Sequence, residues 1–213
     1  MNQFLILVFQ LLVLLFSVMI HEIAHGFAAL KLGDTTARDQ GRLTLNPLKH
    51  LDPFGSIILP IMLSIISGGT FVLGWAKPVP YNPFNLKNPR TGAAIIGAVG
   101  PATNLLLAII FGLILRLLFP LINIPIVSSL IILLNFVVYI NVLLAVFNLV
   151  PLPPLDGSNI LFALIPDSWM EFRNLLNRYG FWMLIIFMFF GFQLILPVIG
   201  SIFPLLTGPA GLF

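Results

Sequence analysis

The segment on which the rest of the chain depends is Ser17–Phe27, which reads SVMIHEIAHGF. It places the pattern H-E-x-x-H in apolar sequence, because no charged side chain occurs in residues 4–20. Three titratable residues then follow within five positions, at His21, Glu22 and His25. Ionisable groups at membrane depth are costly and by default mark function. The segment is therefore predicted to be a functional site on a membrane helix.

The spacing of the two histidines suits a metal ion. Residues four apart on a helix point from the same face, so the imidazoles of His21 and His25 lie about 6 Å apart along the axis. H-E-x-x-H is the zinc metalloprotease signature, in which the glutamate is the general base. Glu22 is thus predicted to take a proton from water rather than to bind metal. A chance match is the alternative, but it would leave unpaired polar groups in hydrocarbon.

The composition is that of a polytopic membrane protein. Of the 213 residues, 59% are hydrophobic and only 8% are charged, and the mean hydropathy is +1.09. Soluble domains of this size do not have such a composition, and the length predicts a single domain over residues 1–213. Cysteine is absent, so any metal must be bound by His, Asp or Glu. The net charge of +3 without a basic run gives no indication of nucleic-acid binding.

The hydropathy pattern predicts an all-α fold with four transmembrane helices, at residues 4–32, 91–119, 126–150 and 181–206. The first is expected to be a retained helix rather than a cleaved signal, because no basic residue precedes it. The apolar stretch 54–69 is short and interrupted by Gly55 and Pro60, so a re-entrant or interfacial helix is expected. For residues 71–81 a short β-hairpin or edge strand is predicted, because the prolines of this stretch suit the edge of a sheet. Residues 41–47 alternate as a short strand would.

The basic residues predict the topology. Nine of the ten Lys and Arg residues lie in three connections, 31–49, 77–90 and 173–178. If residues 54–69 return to the side they left, all nine share one side, which the positive-inside rule makes the cytoplasm. Both termini are then outside, and Asp156 leaves the membrane on the same side as His25. The prediction is a multi-pass protein of the plasma membrane with cytoplasmic basic loops.

The two histidines need a further partner, because a catalytic zinc usually has three protein ligands and one open water position. The candidates are Asp156 and His50. The prolines of residues 151–154 direct the chain out of its helix near the membrane, where an unpaired carboxylate would be costly. Asp156 could equally cap a helix that begins at Gly157, and His50 could be an ordinary loop histidine. From the residues alone, the third ligand stays open.

Three motifs occur in a specific order: His21-Glu22-x-x-His25, Gly97-x-x-Gly100-Pro101-x-x-Asn104 and Asn148-x-x-Pro151-x-Pro153-Pro154-Leu155-Asp156-Gly157. A chain with these motifs in this order resembles the site-2 protease family (peptidase M50) of intramembrane zinc metalloproteases. The resemblance covers most of the chain. The resemblance implies one Zn²⁺ bound by His21, His25 and Asp156, with Glu22 as the base. It also implies that Asn148 contacts the substrate or stabilises the oxyanion. Many members carry a PDZ or CBS domain, and this chain is expected to be a minimal core without either.

The leading hypothesis is an intramembrane protease whose partners are a transmembrane protein or peptide substrate and the lipid bilayer. A transition-metal transporter using the same His, Glu and Asp side chains is one alternative, although no inverted repeat is apparent. An inactive relative that only binds membrane proteins is another, and the intact Glu22 argues against it. Asn104 is expected to make an interhelical hydrogen bond rather than a substrate contact. Strand addition at residues 71–81 is a hypothesis for how substrate is held.

Overall fold

The computed structural model describes residues 3–66 and 76–211. Short 3₁₀ and π-helical turns join the α-helices of these ranges, and no strand occurs in them. The α-helices are α1 (Gln3–Lys31), α2 (Thr36–Asp39), α3 (Leu59–Ile66), α4 (Pro89–Leu118), α5 (Pro125–Asn148), α6 (Asp156–Leu164), α7 (Met170–Ile186) and α8 (Leu196–Thr207).

Within the described ranges, four helical stretches are long and apolar enough to cross a membrane: Val8–Lys31, Pro89–Leu121, Pro125–Asn148 and Asp167–Leu194. This number agrees with the four predicted transmembrane helices, and the composition and helices are those of a multi-pass membrane protein. Helix α4 is central, because it packs against α1, α5, α6 and α8. The apolar core lies mainly between α4, α5 and α8 and includes Ala108, Leu115, Ile131, Val138, Val142, Ile199 and Phe203.

Helices α1 and α4 run in opposite directions. The carbonyl of Ser17 accepts a hydrogen bond from Asn104, whereas His25, two turns later on α1, contacts the carbonyl of Ile96 on the earlier part of α4. Asn104 also bonds Asn141 of α5. The chain leaving α5 reaches the start of α6, where Asp156 lies beside Gly97 on the same earlier part of α4, so α5 runs in the same direction as α1. This direction agrees with the one predicted from the basic residues.

The predicted last span, residues 181–206 with interruptions at Pro197 and Pro204, has the wrong bounds, because the helical stretch long enough to cross a membrane is Asp167–Leu194. Helix α7 continues through a π-helical turn, Phe187–Gly191, into a 3₁₀ turn that ends at Leu194. Helix α8 then begins with Pro197 in its first turn, a position that proline favours because its missing N–H would be unpaired there anyway. Helix α8 packs against α4 and α5. The end of the chain is thus an α7–α8 pair rather than one transmembrane helix.

The stretch 54–69 is helical as far as Ile66, in a π-helical turn (Pro53–Ile58) followed by α3; residues 67–69 lie outside the described ranges. The N–H of Lys77 donates to the carbonyl of His50 at 2.8 Å. Because the two ends of the intervening segment meet, the chain returns to the side it left. Apolar side chains of α3 are exposed, as lipid contact requires: Ile61, Met62, Ile65 and Ile66.

The predicted β-hairpin at residues 71–81 is wrong in its described part. Residues 76–82 form no strand, and residues 71–75 lie outside the described ranges. The prolines would suit an edge strand, but the N–H groups of Val79 and Asn82 donate to the carboxylates of Glu22 and Asp34 rather than to a neighbouring strand.

The predicted strand at residues 41–47 is also wrong. Gly41 has a φ of +61°, a left-handed conformation that turns the chain and that glycine adopts without strain. Asn46 then caps a 3₁₀ turn (Pro47–Lys49) by accepting a hydrogen bond from the N–H of Leu48 at 3.1 Å. Turn-forming residues at both ends outweigh the alternating pattern between them.

Candidate metal centre

His21 and His25 lie buried on the face of α1 that packs against α4. Their ring centroids are 4.6 Å apart, and the ring planes are nearly perpendicular, at 86°. Helix α4 comes close because Gly100 has no side chain: a Cβ there would lie 2.5 Å from both His21 Nε2 and His25 Cε1. Gly100 therefore provides the space that the two imidazoles occupy.

The contacts of the two Nδ1 atoms decide which nitrogen carries the hydrogen. Nδ1 of His25 lies 2.7 Å from the carbonyl oxygen of Ile96, which can only accept. Nδ1 of His21 faces Oδ1 of Asn104, whose amide NH₂ donates to Asn141 Oδ1 at 2.9 Å. Both Nδ1 atoms must therefore donate, and in the neutral imidazoles each Nε2 then keeps a lone pair. Such contacts orient an imidazole for metal binding through Nε2.

Asp156 provides a third donor atom at the same place. Its Oδ2 lies 2.9 Å from His21 Nε2 and 3.2 Å from His25 Nε2. Lone pairs on these three atoms repel one another unless a cation or a proton lies among them. Ligand atoms at about 2.0–2.1 Å from a tetrahedral zinc ion are about 3.3 Å apart, which is close to the observed separations. The donor set therefore fits Zn²⁺.

The alternative role of Asp156 as a helix cap is not observed. Leu155 occupies the N-cap position of α6, and no side chain caps it. Gly157 lies so close to the carbonyl of Leu149 that a Cβ there would overlap it, and a Cβ at Gly97 would lie 2.8 Å from the Asp156 carbonyl. The start of α6 is thus fixed between the end of α5 and the face of α4, which aims the carboxylate at the imidazoles.

Glu22 lies beside the converging atoms. One ligand atom from each of His21, Glu22 and His25 is within 4.8 Å of the others. Its Oε2 accepts a hydrogen bond from the N–H of Val79 at 2.8 Å. Within the part of the chain that the structure describes, Oε1 accepts no hydrogen bond. One carboxylate oxygen is therefore fixed, and the other has no hydrogen-bond partner among the described residues.

Asn104, which contacts His21 Nδ1, belongs to a buried network of polar side chains together with Ser17 and Asn141. Asn104 donates to the Ser17 carbonyl at 3.3 Å and to Asn141 at 2.9 Å, and Asn141 donates to the Ser17 hydroxyl at 2.9 Å. The predicted interhelical hydrogen bond of Asn104 is confirmed, and it joins α1, α4 and α5. The roles of Ser17 and Asn141 in this network were not predicted from the sequence. The sequence did contain an indication of these roles: a polar side chain in an otherwise apolar membrane segment usually faces a partner helix.

Two other candidates, His50 and Asn148, hydrogen-bond to backbone carbonyls outside the group of converging atoms. His50 is fully buried, and its Nε2 contacts the Thr44 carbonyl at 2.9 Å. Asn148 is the last residue of α5, and its side-chain amide donates to the Leu144 carbonyl of the same helix at 2.9 Å. Neither hydrogen bond involves the histidines of α1.

Comparison with known proteins gives the family. The sequence model described as Peptidase family M50 matches residues 121–187. YwhC of Bacillus subtilis is 39% identical over 177 residues, which are 81% of this chain and 76% of YwhC. Rip2 of Mycolicibacterium smegmatis is 31% identical over 147 residues, and Rip2 of Mycobacterium tuberculosis is 36% identical over 143 residues.

The two Rip2 matches cover 69% and 67% of this chain but only 53% and 52% of the Rip2 proteins. The names of YwhC and Rip2 describe each as a candidate zinc metalloprotease. No solved structure matches the chain. The extent and identity of the YwhC match establish the family, and the group of His21, Glu22 and His25 suits its metal. The chain belongs to peptidase family M50, the site-2 protease family of zinc metalloproteases.

Proposed function

We propose that this protein is an intramembrane zinc endopeptidase that hydrolyses peptide bonds within or next to transmembrane segments of membrane proteins. The observation that carries the proposal is the convergence of His21 Nε2, His25 Nε2 and Asp156 Oδ2 between apolar helices, beside the Glu22 carboxylate. Membership of a peptidase family supports it. The same membership gives no support to a transporter or to an inactive binding protein.

In this mechanism His21, His25 and Asp156 hold the metal. Bound zinc supplies Lewis acidity and lowers the pKa of a water to about 7. Glu22 accepts the proton of the attacking water and later gives it to the leaving amine. Asn148 contacts the substrate near the developing oxyanion. To do so, its amide must leave the carbonyl of Leu144.

The depth of the site explains why the substrate would be a membrane segment. With Lys31 at the interface, His25 lies about 9 Å and His21 about 15 Å inside, at about 1.5 Å per residue along α1. A transmembrane substrate must unwind locally at this depth, because an intact helix hides its carbonyls. Apolar surroundings also strengthen each electrostatic contact at the reacting bond.

Reconstitution into liposomes tests the proposed reaction. The purified protein, mixed with a peptide that contains one transmembrane helix, is expected to produce two fragments whose ends lie within or beside the apolar segment. Mass spectrometry of the fragments locates the cut, and a zinc-sensitive dye inside the vesicles records metal flux in the same sample. Fragments without flux are expected. Zinc flux without fragments would instead favour the transporter.

Cysteine labelling tests the proposed orientation. We expect the basic connections to be cytoplasmic, so a single cysteine at Lys87 should react with an impermeant thiol reagent only from the cytoplasmic side. The chain has no other cysteine. A cysteine at Asn123, in the exposed connection between α4 and α5, is the matched control and should react from the opposite side. Labelling of both positions from one side would contradict the topology.

A further inference from the structure

Residues 77–82, here called the strap, cross the part of α1 that carries Glu22. Three backbone N–H groups of the strap donate to other parts of the chain: Lys77 to the His50 carbonyl, Val79 to Glu22 and Asn82 to Asp34, each at 2.8 Å. The strap is therefore attached at both ends and in the middle, and its middle attachment is the Glu22 carboxylate.

The sequence of the strap leaves little freedom for that middle contact. Pro78 and Pro80 have no N–H, so Val79 is the only backbone donor at the centre of the strap, and it is used on Glu22. The Val79 side chain is buried, and a Cβ on Gly26, one turn after Glu22, would lie 2.9 Å from Val79 Cγ1. The strap thus fits closely on the helical turn that carries the carboxylate.

Arg42 holds the first half of the strap. Its side chain is buried, with only 6% of the residue exposed, and Nη2 donates to the carbonyls of Lys77 at 2.8 Å and Pro78 at 3.2 Å. Its Nε makes no hydrogen bond within the described residues. Burying a guanidinium with a donor unpaired is costly. We infer that the contact with the carbonyls of Lys77 and Pro78 is what retains Arg42 at this buried position.

Asp34 holds the other half. It is fully buried and accepts hydrogen bonds from the N–H of Asn82 at 2.8 Å and from the side-chain amide of Asn85 at 2.7 Å. Burial alone would raise the pKa of Asp34, but hydrogen bonds from Thr36, Asn85 and Asn82 outweigh it and hold the pKa below its ordinary value. The group that receives Asn82 is therefore a carboxylate at neutral pH.

We propose that Arg42 is a positioning residue for Glu22 and acts through the strap. The proposal rests on the proposed function in one respect, that Glu22 is the general base. With Oε2 fixed by the Val79 N–H, Oε1 points in one direction. Without Arg42 the strap loosens, the carboxylate rotates, and the base is misplaced. A misplacement of about 1 Å lowers a rate by up to about a hundredfold.

The first test compares two arginines of the same connection. Arg42→Met removes the donors but keeps an apolar side chain, whereas Arg38→Met is the matched control because the Arg38 side chain is 59% exposed. For a transmembrane peptide in liposomes, Arg42→Met is expected to lower kcat by about 10- to 100-fold, with KM and zinc content at the parent values. Arg42→Lys, which keeps a cationic donor, is expected to recover part of kcat. Arg38→Met should match the parent.

The second test does not depend on activity. Val79→Cys adds a single thiol to a chain without cysteine, at a residue that is only 6% exposed, and the measurement is made in a Glu22→Gln background. With Arg42 present, labelling by a maleimide is expected to be slow. Arg42→Met should accelerate it about tenfold, because loss of local contacts raises the open population. Arg38→Met should leave it slow.

Parent kcat in Arg42→Met, or unchanged labelling of the Val79→Cys thiol, would overturn the proposal. Loss of zinc or a raised KM together with the lowered kcat would also overturn it, because that pattern indicates a general structural role. If Arg42→Met does not fold, Arg42→Gln decides by the same two readouts. A Glu22→Gln single variant that cleaves at the parent rate would overturn the role of Glu22 as the base and with it the positioning role of Arg42. Absence of cleavage by the parent protein would instead defeat the proposed function itself, and labelling would still show whether Arg42 holds the strap.

Discussion

Replacing Glu22 with Gln is expected to lower cleavage of a transmembrane substrate by at least about a hundredfold, since general-base catalysis is typically worth about 10² to 10⁴ in rate. Gln has nearly the same size, and its carbonyl oxygen can still accept the hydrogen bond from the Val79 N–H. It cannot take up the proton of the attacking water. The loss should therefore fall on kcat, while zinc content and thermal stability stay at the parent values.

The measurement is kcat for a transmembrane peptide in liposomes, with zinc content determined on the same preparation. Glu171→Gln is the matched control, because Glu171 is the chain's other glutamate and is exposed on α7. The control should cleave like the parent. A Glu22→Gln variant that cleaves at the parent rate would rule out Glu22 as the base, whatever the motif suggests.

Removing any one of the proposed ligands is expected to abolish cleavage together with metal binding. The parent should hold about one zinc per chain, and His21→Ala, His25→Ala or Asp156→Ala should each lower zinc affinity by more than the about 10- to 100-fold typical of outer partners. Stripping the parent with a chelator should have the same effect on cleavage, and added zinc should restore only the parent. Elemental analysis and peptide cleavage are the readouts.

Asp39→Ala is the matched control for the ligand variants, because the Asp39 side chain is 58% exposed and lies in the connection after α1. It should retain both zinc and activity. If Asp156→Ala bound zinc as tightly as the parent, the third ligand would be elsewhere, and the 2.9 Å and 3.2 Å contacts of its carboxylate with the histidines would need another explanation. Glu22→Gln and Asp156→Ala thus separate catalysis from metal binding.

The features that the membrane environment requires could be predicted from the sequence. Long apolar stretches predict helices, because every backbone polar group must be paired within the membrane. The pair His21 and His25 follows from helical periodicity alone. The split of the last span was not predictable in this way. In an apolar run, a proline such as Pro197 is compatible both with a bend inside a helix and with the start of a new helix. The packing of α8 on α4 and α5 determines that a new helix starts here.

Contacts between distant residues account for the remaining differences. Asn104 and Ser17 are 87 residues apart, and Val79 and Glu22 are 57 apart, so no local spacing indicates that they meet. The resemblance to a known family implied a substrate role for Asn148, whereas the structure has its amide bonded within α5. That role stays a prediction. The tight turn at Gly41 shows how a single φ of +61° cancels an alternating strand pattern.

The network of Ser17, Asn104 and Asn141 has a consequence for how the enzyme is assembled. Its hydrogen bonds run from protein group to protein group, so they join three membrane helices without using a metal ligand. Small zinc domains differ, because there metal binding and folding are one event. For this protein we expect folding and metal loading to be separable steps. The fraction of active enzyme in a cell would then follow zinc supply while the amount of folded protein in the membrane stays constant.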